Sequence, residues 1–278
     1  MPAKISAFAD EIGADPVLQA RTLQAVQIRY VELRGAWGTN VMKLSNAQVR
    51  DLQKIFGDHG LAVSCIGSPI GKVRIDESWQ QHFDDFRHAV DLAETFGCSY
   101  IRIFSYYPPE NGRIEDHKDE VIRRLRQQAE YVAGRPVTLA LENEHRIYTD
   151  IPERCAEVMA ALAGMKVTMA FDPANFVHDN ALPVYERCWQ PLRRYVGYFH
   201  MKDMLREPKQ QVVPVGQGVG DCERILRDAA ASRYEGFLAL EPHLSSAGQF
   251  SGFSGPELFT VAARALQDLC RKAGLPAQ

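Results

Sequence analysis

The chain has 278 residues, 46% hydrophobic and 24% charged, with a formal net charge of −3. That composition suits one large α/β barrel or two ordinary domains, and the slight acidic balance gives no footprint for coating nucleic acid. Six scattered cysteines without a CxxC pair argue against a disulfide framework or zinc–thiolate site, and with no apolar leader or membrane-length stretch the expectation is a cytoplasmic protein without a membrane partner.

Short β-rich runs alternate with helical-period segments from end to end. The predicted strands are 4–8, 30–33, 62–66, 100–104, 137–141, 167–171, 196–200 and 237–240. Asp15-Pro16 reads as an N-cap and first-turn proline opening a helix to Val26. Ser45 and Gln48 form a capping box ahead of Val49, Leu52, Ile55 and Phe56. Phe83, Phe86, Val90, Ala93 and Phe96 keep a helical period that stops at Gly97. Further helical segments span 116–134, 152–164, 183–195 and 256–274, with a shorter one from Asp221. No linker divides the chain. Eight strand–helix units in about 250 residues predict a single (β/α)₈ TIM barrel over residues 1–278. A doubly wound open sheet fits less well, because no GxGxxG follows a strand.

Four runs close on residues that buried strands rarely carry. Leu-Ala-Leu-Glu occurs twice, ending at Glu142 and Glu241, and the other two runs end at Asp172 and His200. A strand covered by helices is apolar along its length, so a carboxylate or imidazole at its tip needs a reason. One such residue is usually a helix N-cap or a solvated turn. Four at consecutive tips with matching parity point to a metal site. If Glu142 faces the barrel axis, so do Ala140 and Thr138; Asp172 likewise shares a face with Ala170 and Thr168, and Glu241 with Ala239. Small residues beneath three of the four leave room for an ion and a substrate. Tyr198, beneath His200, breaks that pattern. Three carboxylates and one imidazole suit a divalent ion, Mn²⁺ first, with Mg²⁺ or Co²⁺ as alternatives, better than structural Zn²⁺.

These residues sit in Leu141-Glu142-Asn143-Glu144-His145, Phe171-Asp172-Pro173-Ala174-Asn175, Phe199-His200-Met201-Lys202-Asp203 and Leu240-Glu241-Pro242-His243, with a glycine-rich segment Pro214-Val215-Gly216-Gln217-Gly218 between the last two. The set resembles the sugar isomerase/epimerase superfamily of xylose-isomerase-like barrels, which includes ketose 3-epimerases, hydroxypyruvate isomerases and inosose dehydratases. The resemblance implies that Glu142, Asp172, His200 and Glu241 bind the metal. It also implies that Glu142 and Glu241 move protons, removing and returning one next to a substrate carbonyl through an enediolate. Arg206 matches a substrate-binding arginine of the ketose epimerases. Asn175 stands where those enzymes have a substrate-binding histidine and is expected to bind substrate too, but their substrate preference does not carry over.

Other candidates read more weakly from the residues. His145 and His243 follow the two glutamates and could touch sugar hydroxyls or cap loops. Glu32 and Arg34 share a face at the tip of the second strand, where a rim salt bridge competes with substrate contact. Trp37 and residues 68–72 are possible mouth residues, though 68–72 lacks P-loop spacing. The expected partner is a small-molecule carbohydrate, with no nucleic acid and with assembly into a homo-oligomer left open. A lyase or dehydratase acting on keto-sugars, keto-glycosides or inososes would use the same site and is the alternative. An apurinic-site endonuclease-like phosphodiesterase is the remote one, since the histidines it needs on strands 3 and 4 are replaced by Gly67-Ser68-Pro69 and Ser105-Tyr106-Tyr107. A non-catalytic sugar-binding protein is a third class; it predicts decay of at least one glutamate, and both are present.

Overall fold

In the computed structural model, residues 1–245 and 254–278 are described. Eight parallel strands close into a barrel in chain order. They are β1 (Lys4–Phe8), β2 (Tyr30–Leu33), β3 (Ala62–Ile66), β4 (Tyr100–Ile103), β5 (Thr138–Glu142), β6 (Val167–Phe171), β7 (Val196–Met201) and β8 (Phe237–Leu240). β8 pairs back onto β1, Lys4 opposite Phe237 and Ala7 opposite Leu240. The fold is a (β/α)₈ barrel, and the predicted strands differ from the observed ones by at most one residue at an end.

Local chemistry explains several of the helix ends. Asp15 accepts from the Val17 amide at 2.9 Å to open Pro16–Ala25, and Ser45 and Gln48 cap Asn46–Asp58 reciprocally. Gly97 and Gly274 adopt φ of 65° and 70° to stop Trp79–Phe96 and Gly255–Ala273. Three features depart from the expectation. Residues 183–195 form a π turn (Tyr185–Trp189), a short α turn (Gln190–Leu192) and a 3₁₀ turn (Arg193–Tyr195) rather than one helix. Pro191 has no N–H to offer Arg187, which disrupts the regular ladder. A helix over Pro173–His178 is too short for its period to be read, and a hairpin joins Asp203–Leu205 to Gln211–Val213 in what reads as a loop.

The barrel interior is graded from apolar to charged. Tyr30, Tyr100 and Phe237 fill its N-terminal end, with Phe237 5.2 Å from Tyr30 and 6.1 Å from Tyr100 between ring centroids. Above them Ala140, Ala170 and Ala239 share a buried cluster with Phe8, Cys65 and Tyr198, so the inward parity inferred from the alanines holds. A bulge maintains it between β6 and β7. Met169 pairs with Val196 and Ala170 with Tyr198, leaving Gly197 out of register. A side chain at Gly197 would meet Thr168 Oγ1 at 2.5 Å, so the bulge requires glycine. The small alanine layer leaves space at the C-terminal mouth, where the charged groups gather.

Candidate metal centre and active site

β5, β6, β7 and β8 lie side by side in the barrel, so their tips share one arc of the mouth. Glu142, Asp172, His200 and Glu241 each offer a ligand atom there, all within 4.8 Å of one another, and all four are buried. His200 Nδ1 stands 3.1 Å from Glu142 Oε1, close to the ~3 Å between neighbouring ligands of one small octahedral ion. Asp172 serves twice: its Oδ1 caps the helix Pro173–His178 by accepting from the Asn175 amide at 3.0 Å, while Oδ2 faces the cluster. The bland reading of Asp172 as a helix cap and the ligand reading therefore describe different oxygens of one carboxylate.

Backbone and side-chain clamps hold these tips. Asn143 Nδ2 donates to the Asp172 carbonyl and Asn143 Oδ1 accepts from the Asp172 amide, both at 2.9 Å, locking β5 to β6. Asn175 Nδ2 donates to Glu142 Oε1 at 3.3 Å and to the Asn143 carbonyl at 2.8 Å, so this residue orients Glu142. Asp203 gathers the glycine-rich loop after β7, accepting from the amides of Gly216, Gly218 and Gly220 at 2.9–3.0 Å. A Cβ at Gly218 would lie 2.2 Å from Asp203 Oδ1, which is why that loop needs glycine.

A ring of charge surrounds the four. Arg34 donates to both Asp10 oxygens at 2.7 and 3.1 Å, to Glu11 at 3.0 Å and to Glu241 at 2.6 Å. Arg102 reaches Glu142 at 3.4 Å, and Lys202 Nζ lies 2.7 Å from Asp172 and 3.3 Å from Glu241. The Phe8 ring supports both guanidiniums, at 4.6 Å from Arg34 and 5.1 Å from Arg102. Glu32 is fully buried and lies 3.2 Å from His200 Nε2, which settles its role as a partner of that imidazole rather than a rim residue. Sequence reading passed over Asp10, Glu11, Arg102 and Lys202. Only Lys202 carried a signal, through its place two residues past His200.

The carboxylates Asp10, Glu11, Glu32, Glu142, Asp172 and Glu241 thus face Arg34, Arg102 and Lys202, while Lys72 and Glu144 on the cavity wall pair with each other. Burial pushes Asp172 up to about 6 against the pull of Lys202. Burial also opposes ionisation of Glu142, but His200 and Arg102 outweigh it and hold the group at about 2. Glu241 is held well below the usual range against burial by Lys202, His243 and Arg34. For His200, burial favours the neutral ring, yet Glu142 and Glu32 raise it to about 10. Protonated imidazoles offset the surplus anionic charge here. A divalent cation would do the same with His200 neutral and ligating. The residues fit such an ion.

A cavity of about 260 Å³ opens above the cluster, lined by Glu142, Glu241, Arg34, Arg102, Lys202 and His243 among others. Asp172 and His200 lie beneath it, outside the lining. His243, with a φ of 42°, sets Nδ1 2.7 Å from Glu11 and Nε2 3.3 Å from Glu241. Pro69 and Lys72 of the 68–72 segment also line the cavity, whereas Ser68 donates to the Arg102 carbonyl at 2.5 Å. Three expected substrate residues lie outside the lining, Asn175 among them through its bonds to Glu142 and the Asn143 carbonyl. His145 turns to Asp179 instead of the cavity, and the Arg206 guanidinium donates to Asn180 Oδ1 at 2.6 Å. The reason is loop geometry: Arg146 takes a left-handed φ of 64°, and Arg206 rides the hairpin. Trp37 packs on the core and is outside the lining as well.

The family model of the xylose isomerase-like TIM barrel matches residues 21–269. The chain belongs to this family. No curated protein sequence matches it. Three solved structures show the likeness in fold. A xylose isomerase-like TIM barrel protein from Mycobacterium smegmatis in complex with magnesium is 18% identical, with a TM-score of 0.74 over 98% of this chain and 97% of that one. The probable 3-DHS dehydratase AsbF from Bacillus anthracis is 15% identical, with a TM-score of 0.72 over 95% and 98%. The 3-keto-D-glucoside 4-epimerase YcjR from E. coli is 12% identical, with a TM-score of 0.71 over 98% and 99%. Among the described residues of this family member, no helix is long and apolar enough to cross a membrane.

Proposed function

We propose that this protein is a divalent-metal-dependent isomerase or epimerase acting on a small carbohydrate with a carbonyl group, with Glu142 and Glu241 as its acid and base. The observation that carries this is the division of the cluster: Glu142 and Glu241 line the cavity, while Asp172 and His200 lie beneath it. Two carboxylates can reach a bound molecule, and two residues can only hold what lies below. At about 260 Å³ the cavity falls below the ~300–1,000 Å³ of drug-sized ligand sites, which suits a small sugar.

Glu142, Asp172, His200 and Glu241 would hold the ion, and bound there it would polarise the substrate carbonyl and raise the acidity of the neighbouring C–H. The protein's own groups do the rest. Arg34 and Arg102 donate to one oxygen of each glutamate, and Lys202 and Asn175 to the other, so both carboxylates are oriented before substrate enters. One glutamate, ionised, takes the proton adjacent to the carbonyl. The other returns a proton to the same carbon from another direction, giving the epimer, or to the adjacent carbon, giving the isomer. His243 Nε2, 3.3 Å from Glu241 Oε1, is placed to exchange a proton with that carboxylate. Lys202 and Arg34 line the cavity as donors for substrate oxygens.

Incubation with ketoses, keto-glycosides and inososes in D₂O, with Mn²⁺, Co²⁺ or Mg²⁺ or with chelator, tests the reading. Metal-dependent deuterium at a carbon next to the carbonyl is expected. Loss of water or of an aglycone from the same substrates would instead assign an elimination. Exchange that is unchanged by chelator would sink the metal dependence.

A further inference from the structure

A second group of ligand-type side chains lies on the barrel rim, outside the cavity. His145 comes from the loop after β5, His178 ends the helix Pro173–His178, and Asp179 follows it. One donor atom of each lies within 4.8 Å of the others. Both imidazoles present Nδ1 to one oxygen, Asp179 Oδ1: His145 through a hydrogen bond, and His178 at 3.6 Å, beyond hydrogen-bonding reach. The two rings meet edge to face with centroids 4.2 Å apart. His178 Nδ1 and Asp179 Oδ2 are buried atoms with no hydrogen-bond partner among the described residues. A buried nitrogen and a buried carboxylate oxygen left unpaired cost free energy, so this arrangement asks for something to bind both.

We propose that His145, His178 and Asp179 form a second cation site, selective for a zinc-class ion over Mg²⁺ or Mn²⁺. The donor set is the reason for the selectivity. Two imidazoles and one carboxylate suit Zn²⁺ or Co²⁺, whereas the barrel centre, with three carboxylates and one imidazole, suits harder ions. One spacing already agrees: ligands at ~2.0–2.2 Å from a tetrahedral zinc are separated by ~3.4 Å, close to the 3.6 Å between His178 Nδ1 and Asp179 Oδ1, while the closer His145–Asp179 hydrogen bond opens as the ion enters. Three protein ligands leave the fourth position to water. The ion takes the place of the hydrogen between His145 Nδ1 and Asp179, and the neutral imidazole bound through Nδ1 carries its proton on Nε2. Its effect is to tie the loop after β5 to the helix that Asp172 caps. The hairpin after β7 joins the same corner, with Arg206 donating to Asn180 Oδ1 and Gln210 Nε2 donating to the His178 carbonyl.

Equilibrium dialysis of the full chain against Zn²⁺, followed by metal analysis, tests the site. The wild type is expected to hold about two zinc ions, and His178→Ala and Asp179→Asn about one each. Asp172→Asn, aimed at the barrel centre, should keep the rim ion. Co²⁺ supplies a second readout: an intense tetrahedral visible spectrum present in the wild type and in Asp172→Asn, and lost in His178→Ala. Circular dichroism checks that each variant is folded, and Asp179→Asn carries the test where His178→Ala is not. A zinc content that neither rim substitution lowers would overturn the proposal, as would no bound zinc at all. A single zinc lost in His178→Ala but kept in Asp172→Asn would uphold the rim site while removing the barrel centre, so the two failures are distinguishable.

Discussion

His200 Nε2 stands 3.2 Å from Glu32 Oε2, and both side chains are fully buried. Glu32 belongs to β2 and His200 to β7, so the contact crosses the barrel axis. A proton held on Nε2 by this carboxylate leaves the Nδ1 lone pair facing the cluster, which is the tautomer a metal ligand needs. Glu32→Gln keeps the shape and removes the charge. It should weaken Mn²⁺ binding by ~10–100-fold, read by calorimetric titration. Unchanged affinity would leave Glu32 as a packing residue only.

The acid–base assignment predicts that Glu142→Gln and Glu241→Gln each lower kcat by ~10²-fold or more with the fold intact. The two variants should differ in partial reactions. One of them should still wash substrate deuterium into water without forming product, because the first proton transfer needs only one of the two carboxylates. Turnover near the wild-type rate in either variant removes that residue from the chemistry.

Arg206 carries a different expectation from the one its motif position suggests. Its guanidinium is bonded to Asn180 and lies outside the cavity lining. A half-exposed hydrogen bond of this kind contributes about 1 kcal/mol at most to stability. Arg206→Ala should therefore leave kcat and KM on the true substrate within about a factor of two. A loss of ~10²-fold in kcat/KM would show that the hairpin swings inward when substrate binds.

Acid sensitivity should come partly from His82. Its Nε2 accepts from the Gly71 amide at 3.0 Å, so the buried ring is neutral, and burial lowers its pKa to about 4. Gly71, with a φ of 91°, runs so close to the Phe104 carbonyl that a Cβ there would meet it at 2.0 Å, so this donor position requires glycine. Between pH 6.5 and 4 the unfolded chain binds a proton that the folded one refuses. The stability associated with the neutral ring is complete above pH 6.5 and falls as pH drops toward 4, by about 3 kcal/mol at most. Urea unfolding between pH 7 and 4.5 should show this slope, and His82→Gln should flatten it.

The barrel and the four strand tips were legible because they rest on local rules. Period-two alternation fixes which face Glu142, Asp172 and Glu241 share with their alanines, and caps such as Asp15 and Ser45 announce helix starts within a few residues. A short-range pattern can say which way a side chain points from its strand. It cannot say what the side chain meets. Arg34 and Glu241 are bonded across 207 positions of sequence, and His200 and Glu32 across 168. Asp10 and Glu11 carry no local signal after β1, and only the pairing of β1 with β2 on one side and β8 on the other makes them partners of Arg34 and His243. His145 and Arg206 turn away from the cavity for the complementary reason. Strand geometry does not extend into loops, where a left-handed Arg146 and an unforeseen hairpin set their directions. Sequence alone determined the fold and the four residues whose parity is fixed by strands. The tertiary structure decided the charge network around them, because Coulomb and hydrogen-bond partners are chosen by distance in space.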